Sequence, residues 1–132
     1  MTTEPTYALT HVLRMRGIET KPADMNRVMH AAGVLVKAFR ASGKDPSKVK
    51  PYWKLGEAGE RIAVEVENQR SPEPVVQYFD GRFDELLDYL APTIDAMVRE
   101  GEIKPVARDH EKGEQYRAAL EVQQRKHAGE AF

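Results

Sequence analysis

Residues 20–43, TKPADMNRVMHAAGVLVKAFRASG, are the stretch on which the reading of the fold turns. Thr20 suits a helix N-cap, Pro22 fits a first turn where a missing N–H costs nothing, and Asp24 complements the positive end of a helix. Apolar residues then recur at Met25, Val28, Met29, Ala32, Leu35, Val36 and Phe39, spaced by three and four, until Gly43 offers a stop. The spacing predicts one amphipathic helix of about twenty residues, about 30 Å long at 1.5 Å per residue. With its apolar stripe turned to a core, Asn26, His30, Gly33, Lys37 and Arg40 fall together on the opposite side, with Arg27 at the edge. Gly33 inside a helix costs about 1 kcal/mol relative to Ala, so on this reading it needs a reason such as the close approach of a phosphate backbone or another helix.

Working outward, a second stripe runs through Phe83, Leu86, Leu87, Leu90, Ile94, Met97 and Val98, from a start near Asp80 or Arg82 to a stop at Gly101. Pro92 lies within it, so a kink or split is expected at Leu90–Ala91. The two stripes are expected to pack Met25, Val28, Leu35 and Phe39 against Leu86, Leu90, Ile94 and Met97. Towards the N-terminus, Thr6 can cap a short helix over Tyr7–Arg16 that Gly17 ends. Lys44–Trp53, broken by Pro46 and Pro51, reads as a turn region. Glu57–Arg70 fits two periods: Ala58, Ile62 and Val66 at helical spacing, or Ile62, Val64 and Val66 alternating as a strand whose hairpin partner is Val75–Phe79. Helix is preferred there. The polar segment Asp109–Lys126 has helical composition with a thin apolar face of Tyr116, Ala119 and Leu120. A rival parse makes Ile94–Leu120 the end of a winged helix, with Met97–Ile103 entering a strand and His110–Glu114 turning a wing.

The fold class that follows is mainly α: one compact domain over residues 1–132, about five helices, with room for a short β-hairpin at 61–79 or 103–119. The length of 132 residues suits a single core, and 41% hydrophobic against 31% charged residues is an ordinary globular mixture. No apolar run nears the roughly 18 residues that cross a bilayer, so no membrane span is expected. The first residues, MTTEPT, have neither the basic start nor the apolar core of a secretory signal, and a cytoplasmic location is the expectation. With no cysteine, disulfides, thiol catalysis and cysteine zinc sites are excluded together.

Signatures of catalysis are missing as well. There is no Gly-x-Gly-x-x-Gly, phosphate loop, His-Glu-x-x-His or Gly-x-Ser-x-Gly. Ser42, Ser47 and Ser71 fall in turns, and His11, His30, His110 and His127 are scattered. A non-enzymatic protein without cofactor or metal is expected.

Charge is distributed unevenly. Residues 1–56 hold ten Lys/Arg against Glu4, Glu19, Asp24 and Asp45, a net of +6, whereas residues 57–132 hold ten against seventeen, a net of −7. The basic half, with side chains able to reach base edges and phosphates, points to a nucleic-acid-binding accessory or regulatory protein. The contacting residues are expected to be Asn26, Arg27, His30, Lys37 and Arg40, helped by Arg14, Arg16, Lys48, Lys50 and Lys54. In Lys48–Lys54, Tyr52 and Trp53 stand between three lysines, which adds weak support from base stacking. The polarised halves and the thinly apolar C-terminal segment also suggest a homodimer. The alternative is a protein-binding adaptor or inhibitor, in the extreme a nucleic-acid mimic, that meets a basic partner through the acidic half, led by Asp80, Asp84 and Asp88, four apart on one helix face.

Overall fold

The computed structural model of the chain describes residues 4–68 and 73–130. Its elements run β1 (Thr6–Ala8), α1 (Leu9–Arg14), α2 (Pro22–Ala31), β2 (Leu35–Ala41), β3 (Val49–Leu55), β4 (Ala63–Val66), β5 (Val75–Phe79), α3 (Phe83–Arg99) and α4 (His110–Glu130). Single 3₁₀ turns at Glu57–Gly59 and Asp80–Arg82 precede β4 and α3. This is an α+β fold, not the mainly α bundle expected from the periodicity.

The correction originates at Gly33. Its φ of +81° is a left-handed conformation that glycine adopts without a Cβ penalty. Around it the Gly33 N–H donates to the His30 carbonyl at 3.2 Å and the Val34 N–H to the Met29 carbonyl at 2.8 Å, the paired bonds of a Schellman stop. The long helix therefore ends at Ala31, and Leu35–Ala41 leaves as a strand. Residues four apart, such as Leu35 and Phe39, share a face in a helix and in a strand alike, so spacing by itself does not separate the two. Phe39, expected in the core, is 63% exposed. The five-residue band of Asn26, His30, Gly33, Lys37 and Arg40 is accordingly not one helix face.

β2 and β3 form a two-stranded antiparallel ribbon, and β1-β5-β4 a separate antiparallel sheet. The hairpin alternative at 61–79 is the one realised, with Ala63 opposite Tyr78 and Val66 opposite Val75. Among the described residues 57–68, the helix preferred over Glu57–Arg70 is not formed beyond its opening 3₁₀ turn, and residues 69 and 70 lie outside the described residues. β-Branched side chains at Val64 and Val66, and at Val75 and Val76, favour the extended choice once each strand has the other to pair with. The hairpin at 103–119 and the wing at His110–Glu114 are overturned: Gly101 closes α3, and His110 opens α4.

The core lies between α1, α2, the three-stranded sheet and α3. Val12, Met25, Val28, Met29, Phe83, Leu86 and Leu90 are fully buried there. Tyr78 donates its hydroxyl to the Met29 sulfur at 3.0 Å, and its ring meets Phe83 edge-on at 5.6 Å. Burial pushes the Tyr78 phenol well above its ordinary pKa. α3 is not split at Pro92, because Leu90 and Met97 on either side of it are both held in the core. The N-terminal helix starts two residues later than expected, since Thr6–Ala8 pairs with Gln77–Phe79, and the Thr6 hydroxyl donates to the Gln77 side chain at 2.8 Å instead of capping a helix.

Attachment of α4 is by backbone contact more than by apolar burial. A Cβ on Gly17, itself at φ +68°, would lie 1.7 Å from the Asp109 carbonyl oxygen, and one on Gly113 would lie 2.7 Å from Gly17 N. Only glycine at both places lets the first turn of α4 sit on the α1–α2 connection, where the Asp109 N–H donates to the Gly17 carbonyl at 2.9 Å.

Candidate nucleic-acid interface

Two hydrogen bonds fix the phase of the β2–β3 ladder. The Ser42 N–H donates to the Lys48 carbonyl at 2.9 Å and the Gly56 N–H to the Val34 carbonyl at 2.8 Å, so the even-numbered pairs are the hydrogen-bonded ones. The pairs between them, Val36/Lys54, Ala38/Tyr52 and Arg40/Lys50, share that phase. Lys37/Trp53, Phe39/Pro51 and Ala41/Val49 are then non-hydrogen-bonded pairs whose backbone groups point away from the partner strand. Two outward groups bear this out: the Leu55 N–H donates to the Glu65 carboxylate at 2.9 Å, and the Ala41 carbonyl accepts from Arg40 at 3.1 Å. Pro51 thus occupies a position where its missing N–H removes no ladder bond, and it blunts the outer edge of β3.

The same alternation sorts the side chains. One face carries Lys37, Trp53, Phe39, Pro51, Ala41 and Val49. The other carries Val36, Lys54, Ala38, Tyr52, Arg40 and Lys50, with Lys48 next in line. Of the fourteen strand residues only Leu35 is buried, so both faces of the ribbon meet solvent. Residues 35–55 hold Lys37, Arg40, Lys44, Lys48, Lys50 and Lys54 against Asp45 alone, a net of +5. In the connecting turn, Asp45 accepts from the Ser47 hydroxyl at 2.6 Å and from its N–H at 3.1 Å. Those bonds hold its carboxyl below the ordinary range.

At its base the ribbon meets α2. The His30 ring lies 5.3 Å from Trp53, and the Lys37 ammonium lies 5.6 Å from the centre of the same indole, within cation–π range. A cleft of about 420 Å³ opens beside them, lined by Asn26, Tyr52, Trp53, Glu73 and Val76 among others. Arg40 is tied across to Glu73 at 2.7 Å.

Of the ten residues expected from sequence, Lys37, Arg40, Lys48, Lys50 and Lys54 share the ribbon, and Asn26 and His30 stand at its base. The other three are elsewhere. Arg27 donates to the Glu102 carbonyl at 3.0 Å on the far side of α2. Arg14 is exposed on α1 and lines a different cavity, with Lys21 and Lys112. Arg16, only 5% exposed, is unavailable to any ligand. It donates to Asp80 at 2.9 Å and Asp84 at 3.0 Å, and lies over the Phe83 ring. Arg117 reaches the Asp80 carboxylate at 2.7 Å and Arg108 reaches Asp84 at 3.3 Å. Arg117 above all, then Arg16, holds the Asp80 carboxyl below its ordinary value, while partial burial opposes them. The carboxylate row is therefore divided: Asp80 and Asp84 are engaged within the fold, and Asp88 is exposed on α3.

The helical period hides Phe39 as a surface residue, and composition alone lends Tyr52 and Trp53 only weak support as contacts. The alternation in Val49-Lys-Pro-Tyr-Trp-Lys-Leu55, following a Gly–Val–Leu–Val start at residue 33, is the signal that locates them. Comparison with known proteins finds no matching family model, curated protein or solved structure. Among the described residues no helix is long and apolar enough to cross a membrane.

Proposed function

We propose that this protein binds nucleic acid through the β2–β3 ribbon, with Lys48, Lys50 and Lys54 on phosphates and the exposed side of α2 near Asn26 and His30 as the flank of the contact. The observation that carries this reading is the row of exposed lysines on one face of a ribbon of net charge +5, whose base packs on the core through Leu35, Trp53 and Leu55. Lysines held by β-pairing at alternate positions present a line of charge to a polyanion, and release of its counterions supplies sequence-independent affinity. Arg40 contributes less, because Glu73 already neutralises it. The reading is non-enzymatic, because what supports it is a row of lysines, whose chemistry is phosphate binding.

The acidic alternative has less support, since a partner would have to displace Arg16 and Arg117 from Asp80. The test is electrophoretic mobility shift at low salt with single- and double-stranded DNA and RNA, using the parent and Lys48→Glu/Lys50→Glu/Lys54→Glu. All three lysines are exposed, so the fold is kept. Binding that weakens steeply with salt and is lost in the triple variant is the expected result. Parent and variant binding alike, or neither binding, refutes the reading.

A further inference from the structure

We infer that the preferred ligand of the ribbon is an unpaired strand whose bases stack on the face bearing Phe39 and Trp53. The inference rests on the nucleic-acid reading above and adds to it the form of the ligand. That face has an unusual composition for solvent: Phe39 and Val49 are 63% and 65% exposed, with Pro51 and Ala41 beside them. Phe39 faces Pro51 across the ladder and is the diagonal neighbour of Trp53, close enough for both rings to share one extended ligand. Trp53 is half-buried, packed against the core, with the His30 ring at 5.3 Å and the Lys37 ammonium at 5.6 Å from its own ring. Lys37 is the one cation on this face and stands within reach of a phosphate adjoining a base stacked there.

The decisive feature is that Lys48, Lys50 and Lys54 lie on one face of the ribbon, beside Tyr52, while Phe39 and Trp53 lie on the other with Lys37 as their one cation. A duplex, stiff over about 150 base pairs, meets one face at a time: on the lysine face it leaves Phe39 and Trp53 without a stacked base, and on the face of Phe39 and Trp53 it loses most of the charge. A single strand is flexible enough to lay its bases on one face and turn its backbone over the ribbon edge to the lysines. Every base has a π-face, so this mode tolerates any sequence.

Trp53 is the only tryptophan in the chain, which gives the test its signal. The full-length protein is titrated with a short oligothymidylate and with a mixed-sequence DNA duplex of equal length, following indole emission. The expected result is saturable quenching by the oligothymidylate, weaker binding of the duplex, and a loss of about fivefold to a hundredfold in oligothymidylate affinity on Phe39→Ala. Phe39→Tyr is expected to restore it, and the salt slope is expected to hold, since no phosphate contact is removed. If Phe39→Ala leaves affinity intact while the triple lysine variant abolishes it, the stacking inference falls and the ribbon reading stands. If the duplex binds as tightly as the single strand, the inference falls likewise. If the parent binds neither probe, both fall.

Discussion

Arg117 on α4 and Asp80, at the turn into α3, meet at 2.7 Å, and the same carboxylate accepts from the buried Arg16 at 2.9 Å. One aspartate thereby joins three parts of the chain: the end of α1, the start of α3 and the C-terminal helix. Arg16 is removed from water, so its charge depends on Asp80 and Asp84 for compensation. That arrangement makes the pair a point of failure for the fold.

Asp80→Asn is expected to destabilise the protein by about 1–3 kcal/mol, because it removes one of the two carboxylates that compensate the buried Arg16 and weakens the charge-assisted bonds to Arg16 and Arg117, while Asp84 remains. Urea unfolding of the two proteins measures the difference. A loss below about 1 kcal/mol means that Arg16 is compensated elsewhere.

The same contact predicts the acid limb of stability. Asp80 has a folded-state pKa below its ordinary 3.8, so its contribution is complete above that value and disappears as pH falls through the lower, folded value. Thermal melts from neutral pH down past 3.8 should show a steeper decline for the parent than for Asp80→Asn, which has no carboxylate to protonate. Parallel curves argue against the linkage.

Gly17→Ala is expected to release α4. The φ of +68° costs an L-residue about 1–2 kcal/mol, and the new Cβ would overlap the Asp109 carbonyl, so the helix must move. Limited proteolysis should cut within 109–126 faster in the variant, with α3 still protected. Unchanged cleavage excludes the backbone contact as the attachment.

Phe39→Ala and Leu86→Ala separate ribbon from core. Leu86 is fully buried, and its truncation should cost about 2–5 kcal/mol. Phe39 is 63% exposed, and its truncation should alter stability by only about 0.5 kcal/mol. Denaturant midpoints at equal m-values give both numbers, and a large loss at Phe39 would mean that the ribbon folds back on the body.

Reversal of single lysines counts phosphate contacts. Lys48→Glu, Lys50→Glu and Lys54→Glu should each lower the slope of log affinity against log salt by about one unit for duplex, and somewhat less for a single strand. An unchanged slope for any one removes that lysine from the interface.

The amino-acid sequence alone determined the elements whose signal is local. The stripe from Phe83 to Met97, the start of α2 at Pro22, the helix beginning near Asp109 and the concentration of positive charge before residue 57 all follow from spacing, caps and counting. What it left open was decided by contacts between distant residues. Leu35–Ala41 satisfies either period, and the stop at Gly33 together with pairing to Val49–Leu55 selects the strand. Ala63–Val66 extends only because Val75–Phe79 lies beside it. Arg16 and Lys50 are both basic residues of one half, yet one is sealed against Asp80 and Asp84 while the other stands in solvent. Propensity acts over a few residues, whereas strand pairing and burial are set by partners far along the chain, and only the folded arrangement supplies those partners.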